Sequence, residues 1–110
     1  MTETKAIALR SDIDKSDLKD TQQTWIIYPA LFQKINEKID GKSGNQRTLL
    51  LYLIFQLQNG SFAPAEATIC KYCNFTHSRY NEARKALEEK GFITYIPYKE
   101  IKINYKKIME

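Results

Sequence analysis

Three residues, Cys73-Asn74-Phe75, separate two stretches of helical periodicity, and this break constrains the chain more than any other feature. A connection that short forces the flanking helices to pack across one another. Asn is among the few non-glycine residues that tolerate a left-handed backbone in a tight turn, and Thr76 is a good N-cap for the helix that follows. The stretch before the break opens at Pro64 and buries Ile69 and Cys70. The stretch after it runs to Lys90 with Tyr80, Ala83 and Leu87 as its inward stripe, and Gly91 ends it in the C′ manner. Periodicity then switches from helical to strand-like over 92–96 and 101–105, and Pro97-Tyr98-Lys99-Glu100 joins the two as a hairpin.

Upstream, Gln46 to Asn59 reads as a helix with Leu49, Leu50, Leu53, Ile54 and Leu57 on a broad core face. Leu51 and Phe55 point roughly the opposite way, so this helix is expected to be covered on both sides. The cover would be the Trp25 segment or a second subunit, and a homodimer with Trp25, Leu51 and Phe55 at its interface is the expectation. Trp25-Ile26-Ile27-Tyr28 reads as a strand, and Pro29 suits the first turn of a helix carrying Leu31, Ile35 and Ile39. Ser61-Phe62 is long enough only for a very short strand. Residues 1–24 hold few large apolar side chains and no aromatics, a composition that cannot offset the entropy of ordering. They are expected to be a flexible N-terminal segment, able to dock on a protein partner through a transient helix near Ile13 to Leu18, ahead of one domain over 25–110.

Charge and length narrow the function. The 110 residues carry a net charge of +4, but residues 1–24 sum to −1 and residues 25–110 to +5. A basic domain behind a slightly acidic lead is compatible with a polyanionic partner. The longest apolar run, Leu49 to Phe55, is far short of the roughly 18–20 residues that cross a bilayer, so no membrane span is expected. The opening Met-Thr-Glu-Thr-Lys has no apolar h-region, and two cysteines are too few for a disulfide scaffold; a cytoplasmic setting is the default expectation. With one histidine, no glycine-rich phosphate loop and no paired carboxylates in an apolar setting, the chain is not expected to be an enzyme or to need a cofactor.

The run from Cys73 to Ile93, CNFTHSRYNEARKALEEKGFI, resembles the winged helix-turn-helix signature: a turn residue, an aliphatic, a Ser/Thr cap, a valine-like position, an Ala, a Leu, then Glu-x-x-Gly-aliphatic-Ile into the wing. With the closing Ile103-Asn104-Tyr105, the chain most resembles small winged-helix proteins of phages and plasmids in low-GC bacteria, among them transcription regulators, replication initiators or replisome organisers, and partition adaptors. The resemblance covers 62–105 well and 25–60 loosely. It departs from the pattern where Ala63 and Ala65 offer no cap to the helix at Pro64, where Asn74 stands in place of Gly, and where the wing connection is short. It implies a mainly α fold with a small β-hairpin (α+β) that binds double-stranded DNA.

On that reading, Thr76, His77, Ser78, Arg79, Asn81 and Glu82 lie at the start of the recognition helix, where base edges are read. Arg79 could pair with guanine, Asn81 with adenine, Ser78 with either, and Glu82 could accept from cytosine. Arg84, Lys85, Lys99 and Lys102 would meet phosphates. Two rival readings stand beside it. Glu82 and Glu89 in the outward stripe suit a protein-interaction module, such as a replication accessory factor or inhibitor that docks through the same surface. Cys70-Lys71-Tyr72-Cys73 with His77 would suit a metal or thiol sensor, but no fourth ligand is evident, and both cysteines fall where small core residues are wanted.

Overall fold

A computed structural model describes residues 7–12, 24–39, 41–59 and 62–110, with only the backbone of 24–30 and 58–59. The elements are β1 (Ile7–Ser11), α1 (Thr24–Lys38), a 3-10 turn (Gly41–Ser43), α2 (Gly44–Asn59), β2 (Phe62–Ala63), α3 (Glu66–Cys73), α4 (His77–Glu89), β3 (Ile93–Ile96), β4 (Glu100–Ile103) and α5 (Tyr105–Met109). The protein is mostly helical with a small mixed sheet, an α+β arrangement. The expected helical part of the core is observed. Leu31 and Ile35 of the first long helix and Ile39 just after it share one buried cluster with Leu49, Leu50, Leu53, Ile54 and Leu57 of the second and with Ile69, Tyr80, Ala83 and Leu87. No helix among the described residues is long and apolar enough to cross a membrane.

For residues 7–12 the sheet corrects the expectation of a flexible N-terminal segment; 1–6 and 13–23 lie outside the described residues. Its strand order is β2-β1-β4-β3, so the earliest strand lies in the interior between the short β2 and the hairpin. β1 runs parallel to β4 with Leu9 opposite Ile101 and Ser11 opposite Ile103, and antiparallel to β2 with Ile7 opposite Ala63. Alternation explains how so polar a segment is ordered. Leu9 is buried on the inner face with Ala63, Ile93, Ile101 and Ile103, while Arg10, Lys102 and Thr94 form a row on the outer face. Arg10 Nε pairs there with the Glu100 carboxylate at 3.2 Å. Composition undercounts such a strand because its stabilisation comes from partners some 90 residues away. The transient helix expected over 13–18 lies outside the described residues.

Three further expectations are corrected. Trp25 to Tyr28 is helical, not a strand, and α1 runs through Pro29 instead of starting there. Ile27 stands four residues before Leu31, so the helical period extends backwards, and propagation from an established helix outweighs the weak β preference of four residues. The second strand of the hairpin ends at Ile103, not Tyr105. Asn104 leaves the strand, its amide donating to the Gly91 carbonyl at 2.9 Å and to Thr94 Oγ1 at 3.2 Å. The two carboxylate oxygens of Asp12 accept the Tyr105 and Lys106 backbone N–H groups at 2.8 and 3.1 Å. The start of α5 is thereby capped by the residue that follows β1, and Lys38 Nζ donates to the carbonyls of Lys107 and Glu110 at its other end.

Leu9→Ala is expected to lower unfolding free energy by about 2–4 kcal/mol in urea titrations, the range for deleting a buried leucine. Arg10→Ala, on the outer face of the same strand, is expected to cost under about 1 kcal/mol. Similar, negligible effects from both would place the segment outside the folded unit.

Candidate functional site

The α3–turn–α4 unit is built by local chemistry. Asn74 takes the left-handed conformation at φ 60° and ψ 48°, and the N–H groups of Asn74 and Phe75 both reach back to the Cys70 carbonyl. Thr76 Oγ1 accepts the Arg79 backbone N–H at 3.1 Å, the cap expected from sequence. Ala65 gives the start of α3 no side-chain cap, also as expected. At the far end Gly91 sits at φ 80°, with its N–H on the Glu88 carbonyl and the Phe92 N–H on the Leu87 carbonyl, both at 3.0 Å. That pair of bonds is a Schellman motif, sealed by the buried Leu87 and Phe92, and it sets the angle at which the chain leaves α4 for the hairpin.

The candidate residues divide into two groups. Ser78, Arg79, Glu82 and Lys85 are exposed along one side of α4, opposite the buried Tyr80, Ala83 and Leu87. Lys99 is exposed in the hairpin turn, and Lys102 is half-buried on the outer face of the sheet. The second group is engaged within the chain. His77 Nδ1 lies 2.5 Å from Glu66 Oε2, linking the first residues of α4 and α3. Half-buried Asn81 meets Arg84 through its side-chain oxygen at 3.5 Å.

Arg84 departs furthest from the expected phosphate contact. Its side chain is only 14% exposed, its Nη1 donates to Glu88 Oε2 at 2.5 Å, and its guanidinium carbon lies 4.3 Å from the Tyr95 ring centroid and 6.0 Å from that of Tyr80. A guanidinium stacked on a strand residue and paired along its own helix clamps β3 to α4. Sequence spacing places Arg84 near the outer side of the helix, but Tyr95 arrives from a distant strand and covers it.

Arg79 and Glu82 also line a polar cleft of about 280 Å³ with Lys42, Ser43, Gly44, Asn45, Gln46 and Ala83, where the start of α2 faces α4. Lys42 and Arg10 are basic residues that sequence reasoning left out of the site. Lys42 stands in the 3-10 turn ahead of α2, and Arg10 belongs to the segment expected to be flexible.

Of the expected dimer contacts, Phe55 is 61% exposed, whereas Leu51 is half-buried and packs on the chain's own core; the Trp25 side chain lies outside the described residues. Cys70 is buried and Cys73 half-buried, both free, and burial pushes both thiols up, away from the reactive thiolate. Among the described residues no group of three or more His, Cys, Asp or Glu side chains could hold a metal ion.

Comparison with family models, curated proteins and solved structures gave no match.

Burial pushes the Tyr80 hydroxyl up to about 12 against the opposing pull of Arg84. Below pH 10 the phenol is protonated in both the folded and unfolded chain, so its contribution is intact there. Between pH 10 and 12 the unfolded chain releases its proton first, and stability falls by on the order of 2–3 kcal/mol. Thermal midpoints measured from pH 8 to 12 should drop above pH 10, and Tyr80→Phe should remove most of that drop; an unchanged slope in the variant would contradict a protonated, buried Tyr80. Arg84→Ala should cost about 1–3 kcal/mol and speed amide exchange in β3 more than in α2.

Proposed function

We propose that this chain is a winged helix-turn-helix protein that binds double-stranded DNA without catalysing a reaction, with α4 entering the major groove and the β3–β4 hairpin as the wing on the backbone or minor groove. Its service would be transcription regulation or phage or plasmid DNA replication. The observation that carries the reading is the exposed row Ser78, Arg79, Glu82 and Lys85, on a helix whose opposite side is locked in the core and whose start is set by a three-residue turn. The N-terminal residues of such a helix are those that reach base edges. Ser78 and Arg79 are the base readers, Lys85 and Lys99 the phosphate contacts, and Lys42 a further phosphate contact from across the cleft. Lys102 adds positive charge to the outer sheet face, where Arg10 is paired with Glu100. His77, Asn81 and Arg84 serve by holding α4 in place. We further propose a homodimer that covers Phe55.

The second reading, a protein-docking module, is favoured by Glu82, which lies in the cleft with Lys42 and Arg79 where a phosphate would meet repulsion, and by exposed Glu89.

Selection from a randomised duplex pool at about 150 mM salt, where weak non-specific binding is suppressed, separates the readings. An enriched motif is expected, palindromic if the protein is a dimer. On that motif Arg79→Ala should cost about 1–3 kcal/mol and relax the preferred sequence. Lys99→Ala should weaken preferred and random duplexes alike and reduce the salt slope by about 1. Absence of enrichment, with binding lost between low and moderate salt, would turn the assignment to protein docking.

A further inference from the structure

The hairpin turn carries a side chain that the fold gives no reason to keep. The Lys99 N–H donates to the Ile96 carbonyl at 3.0 Å, closing a four-residue turn with Pro97 and Tyr98 at its centre. Tyr98 has φ 64°, a positive value. Proline followed by a positive φ is the type II pattern, and that third position ordinarily takes Gly or Asn because a β-carbon there is strained. Asn74, the other non-glycine residue with positive φ among those described, belongs to a residue type that tolerates it, whereas Tyr98 does not. Tyr98 is also 95% exposed, so packing within the chain cannot offset the strain. Tyrosine thus stands, without packing in the chain, where local physics favours another residue, and unrelieved strain of this kind gathers at functional sites.

The surroundings define what the ring would meet. Exposed Ile96, Pro97 and Lys99 flank it, giving an apolar tip with one cation beside it. The turn is not free to swing. Arg84 stacks on Tyr95 at the base of β3, β4 pairs with β1, and the Ala8 N–H donates to the Lys99 carbonyl at 3.0 Å. A rigid, flat aromatic ring beside a lysine matches a nucleobase face next to a phosphate.

We propose that Tyr98 is a base-stacking wedge, its ring laid against a base or base step in the minor groove while Lys99 takes the neighbouring phosphate. The inference rests on the DNA-binding reading and extends it to a residue that sequence analysis placed only in the hairpin connection. An aromatic wedge gains by unstacking a flexible step and bending the duplex, and it does so without counterion release.

The test uses the full chain and a mixed-sequence duplex of about 20 base pairs, with wild type, Tyr98→Gly, Tyr98→Phe and Tyr98→Leu compared by fluorescence anisotropy across a salt series and by thermal unfolding. Tyr98→Gly is expected to raise the thermal midpoint by a few degrees while weakening duplex binding about 5- to 100-fold, with the salt slope unchanged. Tyr98→Phe should bind within about twofold of wild type, and Tyr98→Leu, apolar but without a stacking face, should fall between phenylalanine and glycine. Tyr98→Gly binding as well as wild type would overturn the wedge, and with Arg79→Ala still impaired the DNA-binding reading would stand. Loss of both stability and affinity in Tyr98→Gly would make Tyr98 a structural residue and overturn the wedge as well. A wild-type chain that binds no duplex would overturn both.

Discussion

A two-stranded ribbon is marginal in water, and the pairing of β1 with β4 is what turns this one into a platform. β2 is only two residues long and cannot support the hairpin by itself. Residues 7–11 fill the interior of the sheet, bury Leu9 against Ile101 and Ile103, and deliver Asp12 to the start of α5. Parallel pairing between segments so far apart in sequence closes a very long loop, which costs conformational entropy before any contact forms. The hydrophobic inner face, the capped helix and the Arg10–Glu100 pair together offset that cost. Everything the hairpin does therefore depends on residues 7–12.

From that platform the orientation of α4 follows by short-range chemistry. The Schellman turn at Gly91 fixes how the helix passes into β3, and the Arg84–Tyr95 stack holds the two together side on. Asn104 bridges the same junction from the other end of the hairpin, through the Gly91 carbonyl and Thr94. Arg84 and Asn104 are engaged at this junction, whereas Ser78, Arg79, Glu82, Lys85 and Lys99 are among the polar side chains directed to solvent. A helix and a ribbon held as one rigid piece need little reordering to meet a groove, and preorganisation of that kind favours affinity.

What was legible in the sequence was local. The break at Asn74, the Thr76 cap, the Gly91 stop and the leucine face of α2 each depend on residues within a turn of one another, and each is found where spacing puts it. Non-local effects were not legible. β1 has one deeply buried leucine and reads as solvent-exposed lead until β4 is set beside it. Arg84 and Lys85 are adjacent basic residues on one helix, and only the arrival of Tyr95 decides that the first is a clamp and the second an exposed cation. Trp25 to Tyr28 carries side chains that suit a strand, yet the period of Leu31, Ile35 and Ile39 runs back through Ile27. The strain at Tyr98 had a faint signal in the preceding Pro97, but a proline in a turn does not by itself say that the next residue is held at positive φ.

The central claim is that α4 and the hairpin turn together form one nucleic-acid surface. Titrating the isotope-labelled chain with a duplex of about 20 base pairs, and following every backbone amide by two-dimensional NMR, tests it most directly. Shifts concentrated in 76–85 and 96–100, with the amides of α5 and the core of α1 left in place, are the predicted result. Shifts confined to the outer sheet face around Arg10, or no saturable shifts at all, would contradict it.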